Sequence, residues 1–78
     1  MTPIEIAEYK QRWKAQDGNP VRVHSDLDVQ CKNWCRKNLK RHEWSMTSYT
    51  NVYEHTFYFE HLNTSQQFEH EFYNWVQA

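Results

Sequence analysis

The chain has 78 residues, 13 of them aromatic, with a single glycine and a formal charge of −1. Such a length supports one domain over residues 1–78, with a modest core and no large enclosed active-site cavity. One glycine leaves no Gly-rich phosphate loop, so neither a Walker A nor a GxGxxG pattern can be written, and no cofactor is expected.

Leu, Ile, Val and Phe number only 14, a level that would suggest disorder if the net charge were also large. The aromatics supply the missing apolar area, since each can bury on the order of 150–250 Å². No apolar run approaches the roughly 18 residues of a membrane span, and MTPIEIAEYK lacks the charged-then-apolar order of a signal peptide. The expectation is a cytoplasmic, non-enzymatic domain with no membrane partner.

In TPIE, Thr2 can cap a helix, Pro3 fits its first position and Glu5 completes a capping box. Ile6, Tyr9 and Trp13 follow on one face, and Gly18 and Pro20 end the element, predicting a first helix over roughly 3–15. Val21 and Val23 alternate with Arg22 and His24, a short strand. Ser25 then caps a second helix over roughly 26–41, with an inward stripe of Leu27, Cys31, Trp34, Cys35 and Asn38 and with Leu39 at its edge.

From Glu43 the period becomes two. Trp44 and Met46 oppose Ser45, Thr47 and Tyr49, and Tyr53, His55, Phe57 and Phe59 oppose Glu54, Thr56 and Tyr58, with a turn at Thr50 and Asn51. The last helix is capped by Asn63 or Thr64 and carries Phe68, Phe72, Trp75 and Val76 inward. The order α-β-α-β-β-α predicts an α+β domain in which a small three-stranded or hairpin sheet packs with three helices. The first two strands and their crossover should form a right-handed parallel unit, with the third strand returning antiparallel. Helices two and three should cover the face bearing Trp44, Met46, Phe57 and Phe59. The other face would show Arg22, His24, Ser45, Thr47, Tyr49, Thr56 and Tyr58, unless the first helix covers it with Ile6, Tyr9 and Trp13.

Cys31 and Cys35 lie one helical turn apart, which sets their β-carbons about 5–6 Å from each other, too far for a disulfide. C-x3-C within a helix is not the usual zinc-knuckle spacing, so reduced core cysteines are expected and no metal site is assigned. Of the five histidines, His55, His61 and His70 lie in the acidic part, where carboxylate neighbours favour the imidazolium. Nothing supplies the substrate pocket that acid-base catalysis would need.

Charge is the most informative feature. Residues 29–42 hold five of the nine basic residues and no acid, whereas residues 43–78 hold five glutamates and neither Lys nor Arg. On the second helix Lys32, Arg36 and Lys40 stand at i, i+4 and i+8 beside Lys37 and Arg41, a ridge with steps of about 6 Å that resemble phosphate spacing. That favours nucleic acid. The acidic second half opposes it, leaving a solvated face, internal pairing with Glu69 and Glu71, or a protein partner met through the ridge and through Tyr49 and Tyr58. The charge asymmetry also permits self-association into a homo-oligomer.

The stretch WCRKNLKRHEWSMTSYT followed by NVYEHTFYFE, residues 34–60, resembles small uncharacterised proteins encoded by tailed phages of marine cyanobacteria. The resemblance implies an accessory protein made in the host cytoplasm. It carries no functional residues with it.

Overall fold

A computed structural model describes residues 2–16, 18–47 and 53–72. Its elements are α1 (Pro3–Gln16), β1 (Val21–His24), a 3₁₀ turn (Ser25–Leu27), α2 (Asp28–Asn38), a second 3₁₀ turn (Arg41–Glu43), β2 (Trp44–Thr47), β3 (Glu54–Phe59) and α3 (Leu62–Glu71). This is the α+β order that the periodicities predict.

The capping box of α1 is present. The Thr2 amide donates to Glu5 Oε1 at 3.1 Å and the Glu5 amide to Thr2 Oγ1 at 3.2 Å. Past the helix, Gly18 and Asn19 take φ values of 69° and 40°. A Cβ on Gly18 would stand 3.1 Å from the Tyr58 ring, so only glycine suits both the turn and the approach. The Phe59 amide donates to Gly18 O at 2.8 Å and Asn19 Nδ2 donates to Phe59 O at 3.0 Å, which ties the exit of α1 to β3.

The sheet order is β1-β3-β2, and β3 is antiparallel to both neighbours. β1 and β2 therefore run the same way around the α2 crossover, but β3 lies between them. The expected parallel unit is thus split. β3 carries Phe57 and Phe59, both fully buried, and gains most from having a strand on each side.

Register places Val21, Met46 and Phe57 side by side, then Trp44 with Phe59 and Val23 with His55. On this face Cys31 and Cys35 of α2 pack with Phe68 of α3 and with Phe72 at its end, as expected. The Phe68 ring lies 4.8 Å from Phe59 and 5.2 Å from Phe57, with Trp34 edge-on at 5.5 Å. Such ring pairs add about 0.5–1.5 kcal/mol each beyond their buried area.

Several boundaries differ from the sequence reading. Ser25 does not cap α2; instead His24 Nδ1 accepts from the Asp26 amide at 3.2 Å and caps a 3₁₀ turn. α2 stops at Asn38, because Leu39 is extended (φ −127°, ψ 157°) and turns back toward the core. Asn38 is exposed, not inward, and its Nδ2 donates to Trp34 O at 2.9 Å. α3 begins at Leu62, ahead of the proposed caps, with Ser65 Oγ donating to Leu62 O at 2.7 Å. The Thr50–Asn51 turn, Tyr49, Trp75 and Val76 lie outside the described residues.

α1 has no buried residue and leans on the Arg41–Glu43 turn. Its last turn reaches the second sheet face, where Lys14 Nζ is 4.7 Å from the centre of the Tyr58 ring. Thr56 on that face is buried, so the expected open polar surface is partly covered.

Candidate functional site

The Arg41–Glu43 turn forms because its ends bond reciprocally: the Lys40 amide donates to Glu43 Oε1 at 2.8 Å, and the Glu43 amide to Lys40 O at 3.0 Å. The Glu60 amide then donates to Glu43 O at 3.0 Å, fixing the turn to the end of β3. From the other side Trp13 Nε1 donates to His42 O at 3.1 Å, and the Tyr9 ring meets the His42 ring edge-on at 5.5 Å. Tyr9 Oη also donates to Glu60, a bond that pushes the phenol's pKa up.

These anchors place Lys10, which lies between Tyr9 and Trp13, with its Nζ 5.6 Å from the centre of the Trp44 indole. Trp44 opens β2 and stacks on Phe57, at 6.2 Å and 21° between planes. Arg36 comes from the last turn of α2, Leu39 from its extended exit, and Arg41 from the turn itself. Together Lys10, Arg36, Leu39, Arg41 and Trp44 line a groove of about 540 Å³.

The groove is lined by three cations. Among the described residues no carboxylate lies within ion-pair distance of Lys10, Arg36 or Arg41. Glu43 and Glu60, close by in the fold, are engaged with Lys40, Tyr9 and His61. Burial, and then the charges of Arg41 and Lys14, hold the Lys10 ammonium below its ordinary pKa. Crowded like charges of this kind are relieved by an anion.

The opposite end of α2 is neutralised. Lys32 Nζ and His55 Nδ1 each lie 2.8 Å from an oxygen of Asp28. Burial raises the Asp28 pKa, but the hydrogen bonds from Lys32 and His55 outweigh it and hold the carboxyl below its ordinary value. Cys31 and Cys35 are fully buried, free thiols, and burial pushes both up to about 12. Little thiolate exists at neutral pH, which makes them packing residues rather than nucleophiles.

The predicted ridge is therefore broken up. Lys32 is spent on Asp28, one turn away, rather than pairing with Glu69 or Glu71. Lys40 and Arg41 are not on the helix at all, because α2 has already ended. Arg36 and Arg41 meet in the groove; Lys37 and Lys40 are exposed outside its lining. Tyr58 is half-buried under Lys14, and Tyr49 lies outside the described residues. Sequence reasoning missed Lys10, Leu39 and Trp44 as neighbours of the two arginines, since no spacing links α1 to β2. The carboxylate neighbour of His55 is Asp28, which comes from α2 and not from the acidic second half of the chain.

Comparison with models of protein families, with curated proteins and with solved structures found no match. Among the described residues no helix is long and apolar enough to cross a membrane.

Proposed function

We propose that the chain is a small non-enzymatic binding module that docks on another protein through the groove between α1, α2 and β2. The phage-like wording of residues 34–60 adds a context, in which the partner is a host or phage protein in the infected cell. One observation carries the reading: three cations from separate elements converge on an indole and a leucine, with no carboxylate among the described residues in ion-pair contact with them. Arg and Trp are the residue types that dominate the energetics of protein interfaces.

A second reading, nucleic-acid binding, draws on the same cations beside an indole. The loss of the continuous ridge counts against it, since Lys32 is paired and Lys40 leaves the helix axis. A capture experiment from cell lysate separates the two. The protein reading expects a partner that survives nuclease treatment and is lost with Arg36→Glu/Arg41→Glu. Loss of all captured material on nuclease treatment gives the nucleic-acid reading instead, and a partner held equally by the double variant removes the groove from the account.

A further inference from the structure

Volume, charge and the state of the indole together specify what the groove accepts, and the inference rests on the groove being the docking site. About 540 Å³ is far more space than a single inorganic anion fills, and it lies within the range of roughly 300–1,000 Å³ typical of pockets for organic ligands. An inorganic anion would also leave Leu39 and Trp44 in contact with water. The occupant must therefore bring several negative charges together with an apolar group.

The Trp44 ring decides what kind of apolar group. Phe57 stacks on it, and the Lys10 ammonium stands over it at 5.6 Å from its centre. A nucleobase stacking there would have to displace Lys10 and forfeit a cation-π contact. An aliphatic side chain needs no free ring face; it can lie along Leu39 and the indole edge. Carboxylates on either side of it would then reach Arg36, Arg41 and Lys10, which arrive from three different elements. Arg forks suit carboxylates in two-point contact.

We infer that the groove is a receptor for an acidic peptide segment of the partner, one aliphatic residue flanked by carboxylates, with the aliphatic side chain against Leu39 and Trp44 and the carboxylates on Lys10, Arg36 and Arg41. Selectivity would come from needing both components at once. A purely acidic tract leaves the apolar wall wet, and a purely apolar one leaves three cations crowded.

The test is a titration of the ¹⁵N-labelled protein followed by NMR, with blocked pentapeptides as probes. Asp-Glu-Leu-Glu-Asp should shift the Trp44 indole N–H and the amides of Leu39 and Arg41. Arg36→Gln/Arg41→Gln should weaken it about tenfold, as loss of charge-assisted contacts does, whereas exposed Lys37→Gln should change it less than twofold. Replacing the probe's leucine with glycine, or its acids with glutamines, should each weaken binding at least fivefold.

Equal binding of either altered peptide would overturn the inference, as would tighter binding of a short oligothymidylate, or shifts spread over Lys37 and Lys40 instead of the groove. Mapping on the wild-type protein keeps the test valid should a variant fold poorly. Failure here is distinct from failure of the docking reading: a lysate partner lost with Arg36→Glu/Arg41→Glu, while no acidic pentapeptide binds, rejects the peptide chemistry and leaves docking in place.

Discussion

At the N-terminal end of α2, Asp28 stands between Lys32 and His55 at 2.8 Å from each, and all three are largely shielded from solvent. At the C-terminal end, Arg36 and Arg41 join Lys10 around Trp44 and Leu39 with no acid among the described residues to pair them. Both ends carry basic side chains drawn from the same short stretch. One end spends its charges on the fold; the other keeps them available. A basic residue's place in the sequence therefore says little about its role, and what decides is whether the fold delivers a carboxylate to it.

The largest effect should come from the core that holds both ends in place. Phe68 touches Phe57, Phe59, Trp34 and Phe72, and Phe68→Ala should cost about 3–5 kcal/mol in urea unfolding, enough to disorder the groove as well. A loss below about 1 kcal/mol would mean that the aromatic cluster is not what fixes the two ends.

Next comes the closed end. Asp28→Asn removes the charge shared by His55 and Lys32 and replaces one of their two accepting oxygens with a donor, and should cost about 1–3 kcal/mol at neutral pH. The Asp28 carboxyl titrates lower in the folded chain than its ordinary 3.8. Its contribution is therefore complete well above that value and is lost as pH falls through the lowered folded value. Wild-type stability should drop along this acid limb, and the difference between wild type and Asp28→Asn should shrink to nothing there. A difference that persisted at low pH would assign the cost to packing rather than to charge.

At the open end the expected effects on folding are smaller. Arg36→Gln and Arg41→Gln should each lie within about 0.5 kcal/mol of wild type, because neither side chain balances a carboxylate among the described residues. Lys10→Met keeps the packing along Trp44 and removes one of the crowded charges. Since the ammonium's pKa is lowered on folding, its charge costs stability at neutral pH, and the cost disappears as pH rises through the ordinary value of 10.5. Lys10→Met should thus be neutral or slightly stabilising at pH 7, by a few tenths of a kcal/mol at most. A clear destabilisation would show that Lys10 has a structural partner after all.

The parts of the fold set by local chemistry were legible. Thr2 and Glu5 cap as their spacing predicts, Val21 and Val23 form a strand, and the alternation around Phe57 gives its face. Position in the sheet was not legible, since β3 sits between β1 and β2 for reasons of burial rather than of sequence order. Leu39 shows why helix boundaries escape as well: nothing in CRKNLKRH breaks a helix by propensity. It is the demand that Leu39 reach the core and Trp44 start a strand that ends α2 at Asn38. The groove inherits that difficulty, because Lys10 and Trp44 meet only through the anchoring of Tyr9 and Trp13 on His42.

The most direct test of the division between the two ends is capture of a nuclease-resistant protein partner by wild type and by Arg36→Glu/Arg41→Glu, with the urea midpoint of each protein measured alongside. The account predicts that the partner is lost while the midpoint stays within experimental error of wild type. A partner retained in full by a double variant of lowered midpoint would contradict it, because the basic end would then belong to the fold and not to the interface.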